Sequence, residues 1–299
     1  MDHVAALISD VRDAILDWYS THGRTLAFRR TSDPYAVLVS EVIAQQTQAE
    51  RAAARWDRFM ARFPTVESLA AASPADVLRE WQGLGYDRRG LALWRAARVI
   101  RDEHGGRVPA SIEALEALPG VGPYTARAVG AIAFGIPVGA VDVNVERVIG
   151  RITGGAEPLG RRDVQAAADR IVSTTDPATW THAVMDFGAT VCRPRNPRCA
   201  DCPVRASCAT GRSGARTVVA RPRRTRSTTP FPATNRWLRG RILDRLREAP
   251  PMTWMSLDAP IGTHGLDRVH RAASALAADG MIEIRSTGEG GVRARLTTH

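Results

Sequence analysis

A chain of 299 residues, 44% hydrophobic and 24% charged, has room for one large core or two unequal ones, and its formal net charge is +10. No apolar run reaches the roughly 20 residues that cross a bilayer, and the first twenty residues carry acids where a secretion signal would be basic. A cytoplasmic protein away from the membrane is expected, and nothing in the sequence demands more than a monomer. The sequence contains no lysine, so all 41 cations are arginines. Such an excess fits a partner with a phosphate backbone, although a coding bias that raises Arg and Ala together would give the same composition.

Helical periodicity dominates residues 4–208, and strand-like alternation is scarce there. Val4, Leu7, Ile8, Val11 and Ile15 fall on one face of a first helix. Glu41 then stands inside "YAVLVSEVIAQQ", where burial among Leu38, Val39, Val42 and Ile43 is expected to raise its pKa. Ser73, Ser111 and Asp176 precede helical runs and are expected to accept hydrogen bonds from the free N–H groups there. Between the first two lies an apolar face of Leu91, Leu93, Trp94, Ala97 and Ile100.

The stretch "LPGVGP" turns into a helix that packs Ala126, Val129, Ala131, Ile132 and Ala133 inward. Gly120 and Gly122 permit close backbone approach, and the N–H groups of Gly120, Val121 and Gly122 lie at a helix start suited to a phosphate. Asp142 opens the next helix, where free N–H groups favour its ionised form. All four cysteines follow as Cys192-x6-Cys199-x2-Cys202-x5-Cys208, a cluster that in a cytoplasmic chain points to a metal site rather than disulfides. Residues 209–230 have a basic linker's composition. Residues 231–299 read as helix, helix and two strands around "TGEGG", an order like a winged helix; nucleic-acid binding and simple packing on the body are equally open for it.

These motifs share an order and spacing that resembles the HhH-GPD DNA glycosylases. "LPGVGPYTA" resembles their helix-hairpin-helix, about 113–133, and the acid of "AVDVNVERVIGR" follows it at the family's distance. The cysteine spacing is similar to the 4Fe–4S loop, 192–208, of the endonuclease III and MutY branch, and "SEVIAQQTQ" and "GLGY" resemble MutY proteins in particular. The resemblance implies an all-α, two-lobed glycosylase body over 1–208, followed by a small α+β winged-helix-like region. About ninety residues after Cys208 are too few for a linker and the Nudix-like domain of standard members, so the chain is similar to the short actinobacterial form.

Cleaving an N-glycosidic bond requires a proton for the leaving base and a negative charge beside the cationic sugar. The resemblance assigns these roles to Glu41 and Asp142, with Tyr124 and Asn144 beside the sugar; read without it, Asp142 is an ordinary helix cap and Glu41 a paired buried charge. The lysine that attacks the sugar in endonuclease III-type enzymes is replaced by Tyr124, so strand cleavage through a lysine Schiff base is excluded. By the same resemblance Gln46, Leu84 and Tyr86 form the wedge that enters the duplex. Arg193, Arg195 and Arg198 stand between the first two cysteines, where a fixed loop would present them to a phosphate backbone; a solvated face is the alternative.

The implied base pocket holds Arg24, Leu26, Phe28, Arg29 and His182. It departs from the family pattern at Ala27, Phe28 and His182, and Asp87 replaces the second tyrosine after "GLGY". The expected partner is mispaired double-stranded DNA, with adenine opposite 8-oxoguanine or guanine as the target. A thymine-mismatch glycosylase and a DNA-binding regulator with a zinc or redox site at the cysteines stand as alternatives.

Overall fold

The computed structural model describes residues 2–154, 159–213, 229–288 and 290–298; Glu289 of the "TGEGG" turn and residues 214–228 of the basic linker lie outside it, as do the side chains of Val4 and Leu7. In chain order the helices begin with α1 (Asp2–His22), α2 (Pro34–Ala44), α3 (Ala49–Arg62), α4 (Val66–Ala70), α5 (Pro74–Glu80) and α6 (Arg88–Glu103). They continue with α7 (Ile112–Glu116), α8 (Pro123–Phe134), α9 (Val143–Thr153), α10 (Arg161–Ile171), α11 (Pro177–Thr190) and α12 (Ala209–Ser213). The C-terminal part contains α13 (Asn235–Glu248), β1 (Met255–Ser256), α14 (Leu266–Ala278), β2 (Ile282–Ser286) and β3 (Val292–Leu296).

Local chemistry sets many of these boundaries. Ser73 accepts from the Asp76 N–H at 3.1 Å, Ser111 from Ala114 at 3.2 Å and Asp176 from Thr179 at 2.9 Å, which satisfies donors that α5, α7 and α11 would leave unpaired. Between α7 and α8 the chain turns at Gly120 with φ at +80°, a left-handed conformation costly for residues with a Cβ.

The chain divides into two compact units, each built from two segments: Met1–Glu41 with Val108–Pro222, and Val42–Arg107 with Arg223–His299. In the first unit α1, α9, α10 and α11 enclose a core of Val11, Ile15, Val148, Ile149, Trp180 and Phe187, with Ile8 packed against it. Cys192, Cys202 and Cys208 pack on that core, so the cysteine loop is seated on the α9–α11 group. Ala126, Val129, Ala131 and Ile132 of α8 are buried and Ala133 is half-buried.

In the second unit Leu78 and Leu91 share a core with Leu238, Ile242, Val269, Leu276 and Ile282. Residues 231–299 are therefore packed directly on α5 and α6. Their sheet has the antiparallel order β1-β3-β2, with Ile284 opposite Ala294; β1 adds a third strand to the two legible in the sequence. Polar contacts reinforce this packing. Arg247 of α13, with a side chain only 5% exposed, pairs with Asp87 and donates to the Leu78 carbonyl at 2.9 Å. Asp279 pairs with both Arg88 of α6 and Arg239 of α13.

Candidate active site

Helix α2 carries Glu41 into the first unit with only 7% of its surface exposed. The Tyr124 hydroxyl, on the first turn of α8, donates to Glu41 Oε2 at 3.0 Å. Burial raises the Glu41 pKa to about 7; the Tyr124 hydrogen bond and the Arg29 charge oppose that shift, and the negative charge of Asp142 adds to it. Burial likewise lifts the Tyr124 hydroxyl well above its ordinary value, so it stays a neutral donor.

Asp142 caps α9. Its Oδ1 accepts from the Asn144 N–H at 2.8 Å and the Val145 N–H at 2.7 Å, and its Oδ2 accepts from Asn144 Nδ2 at 3.0 Å. Three donors and the positive end of the helix dipole suit a carboxylate. Asn144 is held in turn by Arg147, which donates to its Oδ1 at 2.9 Å and to the carbonyls of Gly188 and Cys192, each at 2.6 Å. At Gly188 an added Cβ would stand 2.8 Å from the Asn144 Cβ, so glycine is what lets α11 approach this close. The structure thus brings Glu41, Tyr124, Asp142 and Asn144 into one electrostatic neighbourhood, with Glu41 desolvated and the Asp142 carboxyl accepting three hydrogen bonds.

The residues read as a base pocket form an ionic network. Arg24 donates to Asp186 from Nε and Nη2, and Arg29 donates to the same carboxylate at 2.7 and 2.8 Å. Burial would raise Asp186, but the bonds from Arg29 and Arg24 outweigh it and hold the carboxyl at about 2. Arg24 and Arg29 are therefore bound to a protein carboxylate rather than projecting unpaired. Leu26 and Phe28 are buried beside them in sequence. Half-buried His182 is lowered to about 3 by desolvation and the Arg29 charge, which leaves it neutral. Asp186 and Arg147 are absent from the sequence reading. An acid at the centre of the apolar run "AVMDFGA" was the available signal for Asp186, since buried charge requires a partner.

In the hairpin turn, Gly122 opens α8 and an added Cβ there would meet open space, so this backbone is approachable. Val121 is 7% exposed and its N–H bonds to the Leu118 carbonyl, so its own N–H is engaged within the turn. Gln46, Leu84 and Tyr86 belong to the second unit. Gln46 and Tyr86 have φ of +54° and +49°, and Arg89 ties their two loops by donating to the carbonyls of Gln45, Leu84 and Gly85.

The four cysteines are unpaired thiols, with Cys199 exposed and the others half-buried. Burial, together with the charges of Cys192, Cys208 and Cys199, pushes Cys202 up to about 11, and burial raises Cys208 as well; the thiols thus lie within electrostatic reach of one another. Buried Arg151 donates to Cys192 Sγ at 3.4 Å, its Nε has no partner among the described residues, and the Gly211 N–H donates to Cys208 Sγ at 3.4 Å. A guanidinium and an amide directed at sulfur suit thiolate ligands, and four cysteines are the donor set of an iron–sulfur cluster. Among the described residues no three or more His, Cys, Asp or Glu side chains converge on a single-ion site. Arg195 and Arg198 are exposed on this loop, whereas Arg193 folds back to the Asn196 carbonyl at 2.9 Å.

The chain is similar to known proteins over most of its length. Residues 39–173 match the HhH-GPD superfamily of base excision DNA repair proteins. The chain is 39% identical over 280 residues to the adenine DNA glycosylase of Mycolicibacterium smegmatis, spanning 92% of this chain and 93% of that protein. It is 41% identical to the adenine DNA glycosylase of Mycobacterium tuberculosis, spanning 92% and 90%. A solved thermostable thymine-DNA glycosylase superposes with a TM-score of 0.65 at 29% identity, covering 70% of this chain and 98% of that one. With its helical body, its capped aspartate after the hairpin and relatives matched over nearly their whole length, the chain belongs to the adenine DNA glycosylase family of the HhH-GPD superfamily.

Proposed function

We propose that this protein hydrolyses the N-glycosidic bond of adenine mispaired with 8-oxoguanine or guanine in duplex DNA, as a monofunctional enzyme of base excision repair. One observation carries the reading: Glu41, raised to about 7 by burial, shares a site with Asp142, whose carboxylate accepts from two backbone N–H groups and one amide. Glu41 delivers a proton to a ring nitrogen of the leaving base, and Asp142 balances the positive charge that develops on the sugar. Tyr124 holds the Glu41 carboxyl and Asn144 holds that of Asp142. Water completes the reaction, because a chain without lysine has no side-chain amine to form a Schiff base.

In this reading the hairpin turn at Gly120–Gly122 and exposed Arg195 and Arg198 grip phosphates, and Gln46, Leu84 and Tyr86 enter the duplex. Leu26, Phe28 and His182 form the wall against the extruded base, behind which Arg24, Arg29 and Asp186 lie as a fixed ionic layer. Residues 1–208 form the glycosylase body and 231–299 its winged-helix-like extension. The protein works as a cytoplasmic monomer on the nucleoid. A 4Fe–4S cluster held by Cys192, Cys199, Cys202 and Cys208 would cross-link the loop of Arg195 and Arg198 and take no part in hydrolysis.

A second reading, thymine opposite guanine, is favoured by the departures at Ala27, Phe28 and His182 and by the likeness to the thymine-DNA glycosylase. A labelled duplex set with each base opposite guanine and 8-oxoguanine, treated with alkali after reaction, decides between them. Adenine opposite 8-oxoguanine is expected among the best substrates, and breaks are expected only after alkali. Broad visible absorbance and bound iron, against a colourless zinc protein, test the cluster and with it the reading as a regulator.

A further inference from the structure

Tyr86 is an exposed aromatic in an unusual state. The residue is 44% exposed and its φ is +49°, a left-handed conformation that non-glycine residues rarely adopt and that persists only when neighbouring contacts hold it. One such contact comes from 150 residues later in the chain. The guanidinium carbon of Arg236, in the first turn of α13, lies 4.0 Å from the centre of the Tyr86 ring, and Nη1 donates to the Tyr86 hydroxyl at 2.9 Å. The same guanidinium has the exposed Phe231 ring at 6.0 Å, and the Arg89 guanidinium lies 5.8 Å from the Tyr86 ring. A stack and a hydrogen bond from one planar group fix both the tilt and the rotation of the phenol, which neither contact does alone.

Asp87, the residue beside Tyr86, is the partner of Arg247 three turns further along α13. The helix is thus anchored at the position that departs from the family pattern, and it presents Arg236 to the neighbouring tyrosine. The C-terminal region thus touches the "GLGY" loop through a side chain set over that loop's own aromatic.

We infer that Arg236 is a positioning residue for Tyr86, so that the C-terminal region contributes to telling mispaired from paired duplexes by presetting the ring that enters the base stack. The inference rests on the glycosylase reading for the role of Tyr86. It does not require adenine to be the excised base.

A double-mutant cycle in the full-length protein tests it, with Arg236→Ala, Arg236→Lys, Tyr86→Ala and the pair Arg236→Ala/Tyr86→Ala. The readouts are the ratio of mispaired to matched duplex affinity and the fluorescence of 2-aminopurine placed opposite the target base, which brightens when that base is unstacked. Arg236→Ala is expected to lower the affinity ratio at least about fivefold, the scale of a lost stack and hydrogen bond, and to reduce the fluorescence gain. Arg236→Lys keeps the charge but not the planar stack and is expected to recover less than half of either loss. In the Tyr86→Ala background the arginine change is expected to have no further effect.

Losses that add in the double variant, full rescue by lysine, or tighter mispair binding by Arg236→Ala would each overturn the inference. Additivity would make Arg236 an independent contact, and tighter binding would make it a brake. Thermal unfolding of each variant checks that the C-terminal packing survives. Should Arg236→Ala unfold, the single variant Tyr86→Phe, which removes only the hydroxyl bond to Arg236, is expected to lose part of the fluorescence gain that Tyr86→Ala loses, and an unchanged gain counts against the inference. Excision by the parent protein, read separately after alkali, tests the glycosylase reading on its own.

Discussion

Substituting Glu41 by Gln should abolish excision and at the same time stabilise the protein in alkali. The folded pKa of Glu41 lies near 7 against an ordinary value of 4.5, so the native state binds this proton more tightly than the unfolded chain does. Between pH 4.5 and 7 the unfolded chain loses the proton first, and the native state loses stability as pH rises; above 7 both states are ionised and the penalty is constant. The gap between 4.5 and about 7, at about 1.4 kcal/mol for each pH unit, corresponds to a penalty of about 3.5 kcal/mol. The Glu41→Gln amide carries no charge to desolvate, and its side-chain carbonyl still accepts from Tyr124. The variant should therefore match the parent near pH 4.5 and gain on the order of 2–3 kcal/mol at pH 8, a rise of roughly 5–10 °C in Tm for a protein of this size. The assay is thermal unfolding of both proteins from about pH 4.5 to 8.5, alongside single-turnover excision. Parent excision should decline as pH rises through about 7, because the proton donor is lost. A Tm difference that is flat across this range, or a parent rate that climbs through pH 7, would refute the claim that Glu41 is held protonated by burial.

Three further outcomes follow from the contacts. Asp186→Asn leaves Arg24 and Arg29 facing a neutral amide, and denaturant unfolding should register a loss of about 3 kcal/mol or more, against a near-zero loss if the network is only a surface pair. Asp87→Ala removes the carboxylate that Arg247 meets from the "GLGY" side, leaving it Asp244 of its own helix and the Leu78 carbonyl, and should make residues 231–299 more open to limited proteolysis; equal resistance of parent and variant speaks against a role for this pair in holding the C-terminal region. Arg195→Ala and Arg198→Ala should each lower the slope of log affinity against log salt by about one, and an unchanged slope would make both a solvated face.

Features set by neighbours in the chain were legible before the structure. The caps at Ser73, Ser111 and Asp176, the turn at Gly120 and the desolvated setting of Glu41 depend on side chains within a few residues, where pattern and conformation are coupled directly. The cysteine spacing is legible for the same reason, since four thiols close in sequence need little from the rest of the fold to stand near one another. The division into units was not, because residues 42–107 join 223–299 through packing rather than adjacency.

By itself, then, the sequence determined the chemical cast: two carboxyl groups in contrasting settings, four thiols, no lysine and an excess of arginine. Only the tertiary structure decided how the arginines are used. Arg24 and Arg29 reach Asp186 across about 160 positions, Arg247 reaches Asp87 across 160, and Arg236 reaches Tyr86 across 150. A guanidinium carries the same charge wherever it stands, so nothing local marks one arginine for a buried carboxylate, another for a tyrosine ring and a third for solvent. That choice is made by which helices pack together and by which negative charge is buried there to meet them.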